Sequence, residues 1–122
     1  MPTYTPPKKL GDLLLLEVAP GWTKDKVTLL GGSAYAFGQV LAKVAGKHQI
    51  LDPAGAGDAA LAVAVLGEAV DASAGDKPGL VIARGAVVEL TELAWPAGIT
   101  EPQKAAALEQ LTALGIVPRA GL

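Results

Sequence analysis

The 122-residue sequence contains no cysteine, which excludes thiol nucleophiles, cysteine-ligated zinc, iron–sulfur clusters and any disulfide framework. Its one histidine, His48, cannot by itself supply a multi-histidine metal site within one subunit. Aromatic side chains make up only 4%, so a contact with another chain must rely on Val, Leu and Ala faces rather than on the aromatic-rich centres common in protein interfaces. There is no basic stripe: ten Lys plus Arg stand against twelve Asp plus Glu, for a formal net charge of −2. Binding to phosphate backbones needs clustered cations, and no direct nucleic-acid partner is expected. Long apolar runs are missing too. The leucines at 13–16 follow Lys8 and Lys9, but Glu17 ends the run well short of a signal or membrane helix, so no membrane partner is expected.

What the chain does have is apolar surface: 51% of its residues are hydrophobic and 18% charged, against about a quarter charged in an average soluble domain. Its length fits one domain that buries roughly two-thirds of the surface of the unfolded chain. Part of the apolar surplus is therefore expected to face another chain. Residues 1–11, with Pro2, Pro6 and Pro7 and little to bury, read as an extended arm that suits a partner's strand edge. Residues 12–122 read as the β-rich domain.

Within that domain, residues 12–18 predict a first strand, Pro20 and Gly21 a turn, and residues 26–30 a second strand ended by Gly31 and Gly32. Over residues 38–44, Val40, Ala42 and Val44 fall on one face and Gln39, Leu41 and Lys43 on the other. A tight reversal at Gly46 and Lys47 leads to a short return strand over 48–51. The run 59–66 alternates without polar residues, which predicts a strand covered on both faces. Residues 80–90 form a second such run, interrupted at Arg84 and Gly85 by a bulge or a close backbone approach. After Pro96 the period changes. Thr100 as N-cap, Pro102 just inside, and Leu108, Leu111 and Leu114 near helical spacing predict a helix stopped by Gly115. The fold expected is mainly β with a C-terminal helix, an α+β single domain carrying an N-terminal arm.

Chemically reactive groups are few. The stretch PAGAGDAA at 53–60 could form an anion nest, and its GAGD tetrad resembles the anion-hole and base motif of ribokinase-family sugar kinases. That resemblance implies phosphate held at Gly55 and Gly57 with Asp58 as base, and gives the alternative of a phosphate- or sugar-binding module or a kinase-like fragment. The remainder of such an enzyme has no counterpart here, and a wide surface loop with a solvated Asp58 accounts for the same residues. His48, between Lys47 and Gln49, is expected at an exposed hairpin position. Asp52, Asp58, Glu68, Asp71 and Asp76 read as solvated loop carboxylates, and Arg84 either forms an ion pair within or between subunits or reaches solvent. Trp95 and Pro96 form a rigid corner, with Trp22 in a similar role near Gly21. Neither a catalytic set nor a cofactor or metal site is expected.

With LAWP at 93–96 in view, the chain resembles the head decoration proteins of tailed bacteriophages. The likeness runs through GQVLAKV at 38–44, ALAVAVLGEAVDA at 60–72, ARGAVVEL at 83–90 and ALGIVPR at 113–119. It implies a non-enzymatic capsid decoration protein that binds the outside of the expanded head as a homotrimer and stabilises it. The implied partner is the major capsid protein. The implied location is the outer surface of the virion, after a stage in the host cytoplasm. Capsid-contact candidates are then Pro2, Thr3, Tyr4, Thr5, Pro6 and Pro7, and packing or subunit-contact candidates are Trp95, Pro96 and Leu111.

Overall fold

A computed structural model describes residues 9–120. Its elements are α1 (Leu10–Leu13), β1 (Leu14–Glu17), α2 (Pro20–Thr23), β2 (Lys24–Leu29), β3 (Ala34–Tyr35), β4 (Val40–Val44), β5 (Lys47–Ile50), β6 (Ala64–Leu66), β7 (Val70–Asp71), β8 (Lys77–Ile82), β9 (Ala86–Glu89), α3 (Glu101–Ala113) and β10 (Ile116–Arg119). Five strands close a barrel in the order β2-β5-β4-β6-β8. A second sheet, β1-β9-β10, pairs β1 antiparallel and β10 parallel to the central β9, and β3 pairs with β7 in a two-stranded ribbon. The mainly β domain with one long C-terminal helix, followed by the short strand β10, matches the fold class read from composition and period.

The barrel wall is covered on both sides. Val40 and Ala42 enter one hydrophobic cluster with Leu13, Val88, Leu111 and Ile116, while Leu41 between them enters a second with Leu29, Leu66 and Val81. Ala64, Val65 and Leu66 are likewise all buried, with Val65 on the first side and its neighbours on the second. This is why the apolar run shows no polar alternation: neither strand face meets water. The three-stranded sheet and α3 supply one cover, and α3 is tied to the barrel where Gln110 Oε1 accepts the Ala62 N–H at 2.8 Å.

Helix α3 follows the sequence signals closely. Thr100 Oγ1 accepts the Gln103 N–H at 3.3 Å while Gln103 Oε1 accepts the Thr100 N–H at 3.0 Å, a reciprocal cap. Gly115, at φ +82°, takes the left-handed conformation just past the helix end. Ala107 and Leu111 are buried, but Leu114 is 44% exposed.

Several expectations are corrected. The first strand starts at Leu14 rather than Asp12, because the Asp12 carboxylate accepts the Lys9 N–H at 2.7 Å and closes a helical turn that sinks Leu13 into the core. Pro20 and Gly21 open the short helix α2 instead of a turn. Of the run 59–66 only Ala64–Leu66 is strand, since Gly57–Ala60 forms a single 3-10 turn. The run 80–90 is two strands in different sheets, β8 in the barrel and β9 in the three-stranded sheet. The chain changes sheet at Gly85, whose φ of +59° admits glycine and whose missing Cβ leaves room for Trp22: a Cβ there would lie 2.1 Å from the indole. Strand β10, beyond the Gly115 stop where no element was expected, is additional.

Candidate functional site

The root of the arm is fixed to the domain. Lys9 and Asp12 exchange two hydrogen bonds, from the Lys9 N–H to the Asp12 carboxylate at 2.7 Å and from the Asp12 N–H to the Lys9 carbonyl at 2.8 Å. Leu10 packs against the main core cluster, and Leu13 is fully buried within it. The chain then enters β1, which among the described residues pairs along one edge, with β9. Pro2, Thr3, Tyr4, Thr5, Pro6 and Pro7 lie outside the described residues.

The other candidates fall inside the domain. Leu111 is fully buried and Trp95 is partly buried against the same core cluster, so both pack within the chain. The LAWP segment is stitched to the start of β4: the Ala94 N–H donates to the Gly38 carbonyl at 2.8 Å, and the Ala94 carbonyl accepts the Val40 N–H at 3.1 Å. Pro96 lines an open cleft of about 510 Å³ beside the loop after β5 and the start of α3.

The glycine-rich loop is arranged against an anion. The Gly55 N–H is already donated to the Asp52 carbonyl at 2.9 Å, and the Asp52 carboxylate sits against Gly55, within 2.8 Å of where a Cβ would be. The carboxylate beside the loop's first glycine would repel an anion placed there. Asp58 is exposed at the start of the 3-10 turn. Among the described residues no group of three or more His, Cys, Asp or Glu is gathered as metal ligands, and no helix is long and apolar enough to cross a membrane.

His48 departs most from expectation. It is 7% exposed, and its buried Nδ1 has no hydrogen-bond partner. The barrel closes there: Leu29 and His48 are the one β2–β5 ladder pair, and the Leu30 N–H donates to the His48 carbonyl at 2.8 Å. Hairpin residues are usually exposed, but this hairpin arm is a barrel stave. Burial, helped by the charge on Lys43 across the ladder, holds the imidazole below its ordinary pKa, with Asp25 opposing.

Arg84 resolves to an ion pair within the chain. Its Nη2 lies 2.6 Å and its Nη1 3.1 Å from the two Asp25 oxygens, Nη1 also donates to the Trp22 carbonyl, and the guanidinium lies 5.9 Å from the Trp22 ring centroid. These hydrogen bonds hold the Asp25 carboxyl below the usual carboxylate range. Trp22 itself is 52% exposed and not a core anchor. Sequence reading missed the surroundings of this pair. Leu16, Val18, Trp22 and Leu114 are all exposed around Gly85, and only the pairing of distant segments at that glycine brings them together.

A barrel covered on both faces, a capped helix packed against it and a tethered N-terminal root define a compact β-rich module. The family model for the bacteriophage lambda head decoration protein D matches residues 3–116 of the chain, and the chain belongs to that family of non-catalytic capsid decoration proteins. A comparison with curated proteins finds no match. Its role is capsid decoration, at the capsid surface.

Proposed function

We propose that the chain cements expanded phage heads as a homotrimer, with residues 12–122 forming the trimerising body and the arm, 1–11, carrying the shell contact. Pro2, Thr3, Tyr4, Thr5, Pro6 and Pro7 add along β structure of the major capsid protein, where backbone hydrogen bonds supply affinity and fix orientation. Before assembly the trimer waits in the host cytoplasm. The observation that carries this reading, beyond family membership, is the pinned root: the Lys9–Asp12 bonds and the buried Leu13 give the arm a rigid origin, so a force on it is transmitted to the core. Three arms per trimer would raise effective concentration, since release of one leaves two holding.

The test is cosedimentation with empty expanded shells. Deletion of residues 2–8 spares Lys9, Leu10 and Asp12, and is expected to leave the trimer folded while greatly weakening attachment. Equal shell affinity of the shortened and full-length chains would contradict the arm mechanism. Sedimentation equilibrium showing monomers or dimers across micromolar concentrations would contradict the trimer.

A further inference from the structure

The barrel closes at its thinnest seam. Strand β2 lies against β8 along all six of its residues and β5 against β4 along all four, but β2 meets β5 at the single ladder pair Leu29–His48, with the Leu30 N–H donating to the His48 carbonyl at 2.8 Å. Parting β2 from β5 therefore breaks one ladder and leaves an open sheet in the order β5-β4-β6-β8-β2. A second tie across the seam lies on the surface, where the Asp76 carboxylate is 2.6 Å from Lys47 Nζ and accepts the Gly31 N–H at 2.7 Å. Exposed pairs of this kind hold little.

The groups around His48 make this seam sensitive to a proton. By strand alternation His48 shares a face with Ile50, Lys43 with Leu41, and Asp25 with Val27 and Leu29, so all three stand at one end of the apolar cluster inside the barrel. The buried Nδ1 of His48 has no hydrogen-bond partner. A neutral ring carries that nitrogen as an idle acceptor, whereas a charged ring carries a buried donor with nothing to accept it. Lys43 is the ladder partner directly opposite, so the new charge would face an ammonium group. Asp25 opposes this repulsion, but Arg84 engages both its oxygens, at 3.1 and 2.6 Å. Lys26, on the other face of β2, borders the same clefts as His48 and adds positive charge without an acceptor. Once the strands part, the imidazole meets water and takes up its proton free of these costs.

We propose that the β2–β5 seam is an acid-operated latch: protonation of His48 parts the two strands while β2 stays on β8 and β5 stays on β4, so that the barrel opens as a sheet without unfolding the domain. The latch belongs to the barrel and does not depend on the arm.

The test is native-state amide hydrogen exchange on the full chain across the pH range around 6.5, the ordinary value of the imidazole. The Leu30 amide reports the seam, and the slowest amides of β8, which lies between β2 and β6, report unfolding of the whole domain. Leu30 is expected to be less protected than those β8 amides at every pH, and its protection factor should fall about tenfold per pH unit below that value, until the folded imidazole itself titrates. His48→Gln should make Leu30 protection independent of pH in this window. Should that variant fail to fold, Lys43→Gln at the exposed end of β4 removes the opposing cation and should reduce the total fall. Equal protection of Leu30 and β8, a pH-independent Leu30 in the wild type, a decline that survives His48→Gln, or an unchanged fall in Lys43→Gln would overturn the proposal.

Discussion

Leucine and valine are used in opposite ways in two regions of this molecule. Around Leu111 they are sealed: Leu13, Val40, Val65 and Val88 are all fully buried in the same cluster. Around Gly85 they are open, with Leu16 at 54% and Val18 at 75% exposure. The difference is one of cover. The barrel face at Leu111 lies under α3 and the three-stranded sheet, whereas the outer side of that sheet near β1 has no further layer among the described residues. An apolar surplus in composition thus divides into a part that folds the domain and a part that remains available to a partner.

Substitutions should separate the two regions. Leu111→Ala is expected to destabilise the domain by about 2–5 kcal/mol, through lost contacts and an incompletely collapsed cavity. Denaturant titration checks this, and an unchanged midpoint would mean that the sealed region is not where stability resides. Next in size, Thr100→Ala should cost about 1 kcal/mol by removing one half of the reciprocal cap on α3. A Gln103→Ala partner variant would show whether the two halves act together.

Acid should weaken the sealed region at the barrel seam. Because the His48 imidazole is held below its ordinary value of 6.5, the unfolded chain takes up a proton in the window just below that value while the fold does not. Stability is therefore fully present above it and declines as pH falls toward the folded pKa. The Asp25 carboxyl, lowered from 3.8, adds a separate loss at more acid pH, as protonation removes its bonds to Arg84. Urea midpoints across pH should fall first in the histidine window, and His48→Gln should flatten that first decline only. A wild-type midpoint constant through the window would reject the seam account. The smallest effect belongs to the open region: Val18→Ser should leave stability within about 0.5 kcal/mol.

Local signals were legible where a few neighbouring residues decide the outcome. Thr100, Pro102 and Gly115 marked α3 to within a residue or two, and the unbroken apolar run 59–66 announced a strand without a wet face, which only Ala64–Leu66 forms. Outcomes set by distant partners were not legible. The division of 80–90 depends on Val81 and Ile82 pairing with β2 and β6 while Val87 and Val88 pair with β1 and β10. The β-branched pair Ile116 and Val117 after Gly115 was an available signal for β10, too short on its own to mark a strand without its partner β9. His48 looked exposed because its neighbours Lys47 and Gln49 are polar, yet ring closure of the barrel buries it. For the site, the gathering of Val18, Trp22 and Leu114 near Gly85 required the chain to cross between sheets.

The decoration role is tested most directly by the thermal rupture temperature of matched expanded shells with and without saturating protein. A protein that binds the assembled lattice and not its separated subunits stabilises the assembled state by mass action. Decorated shells are therefore predicted to rupture at a higher temperature than bare shells, and no upward shift at demonstrated full occupancy would contradict a cementing role.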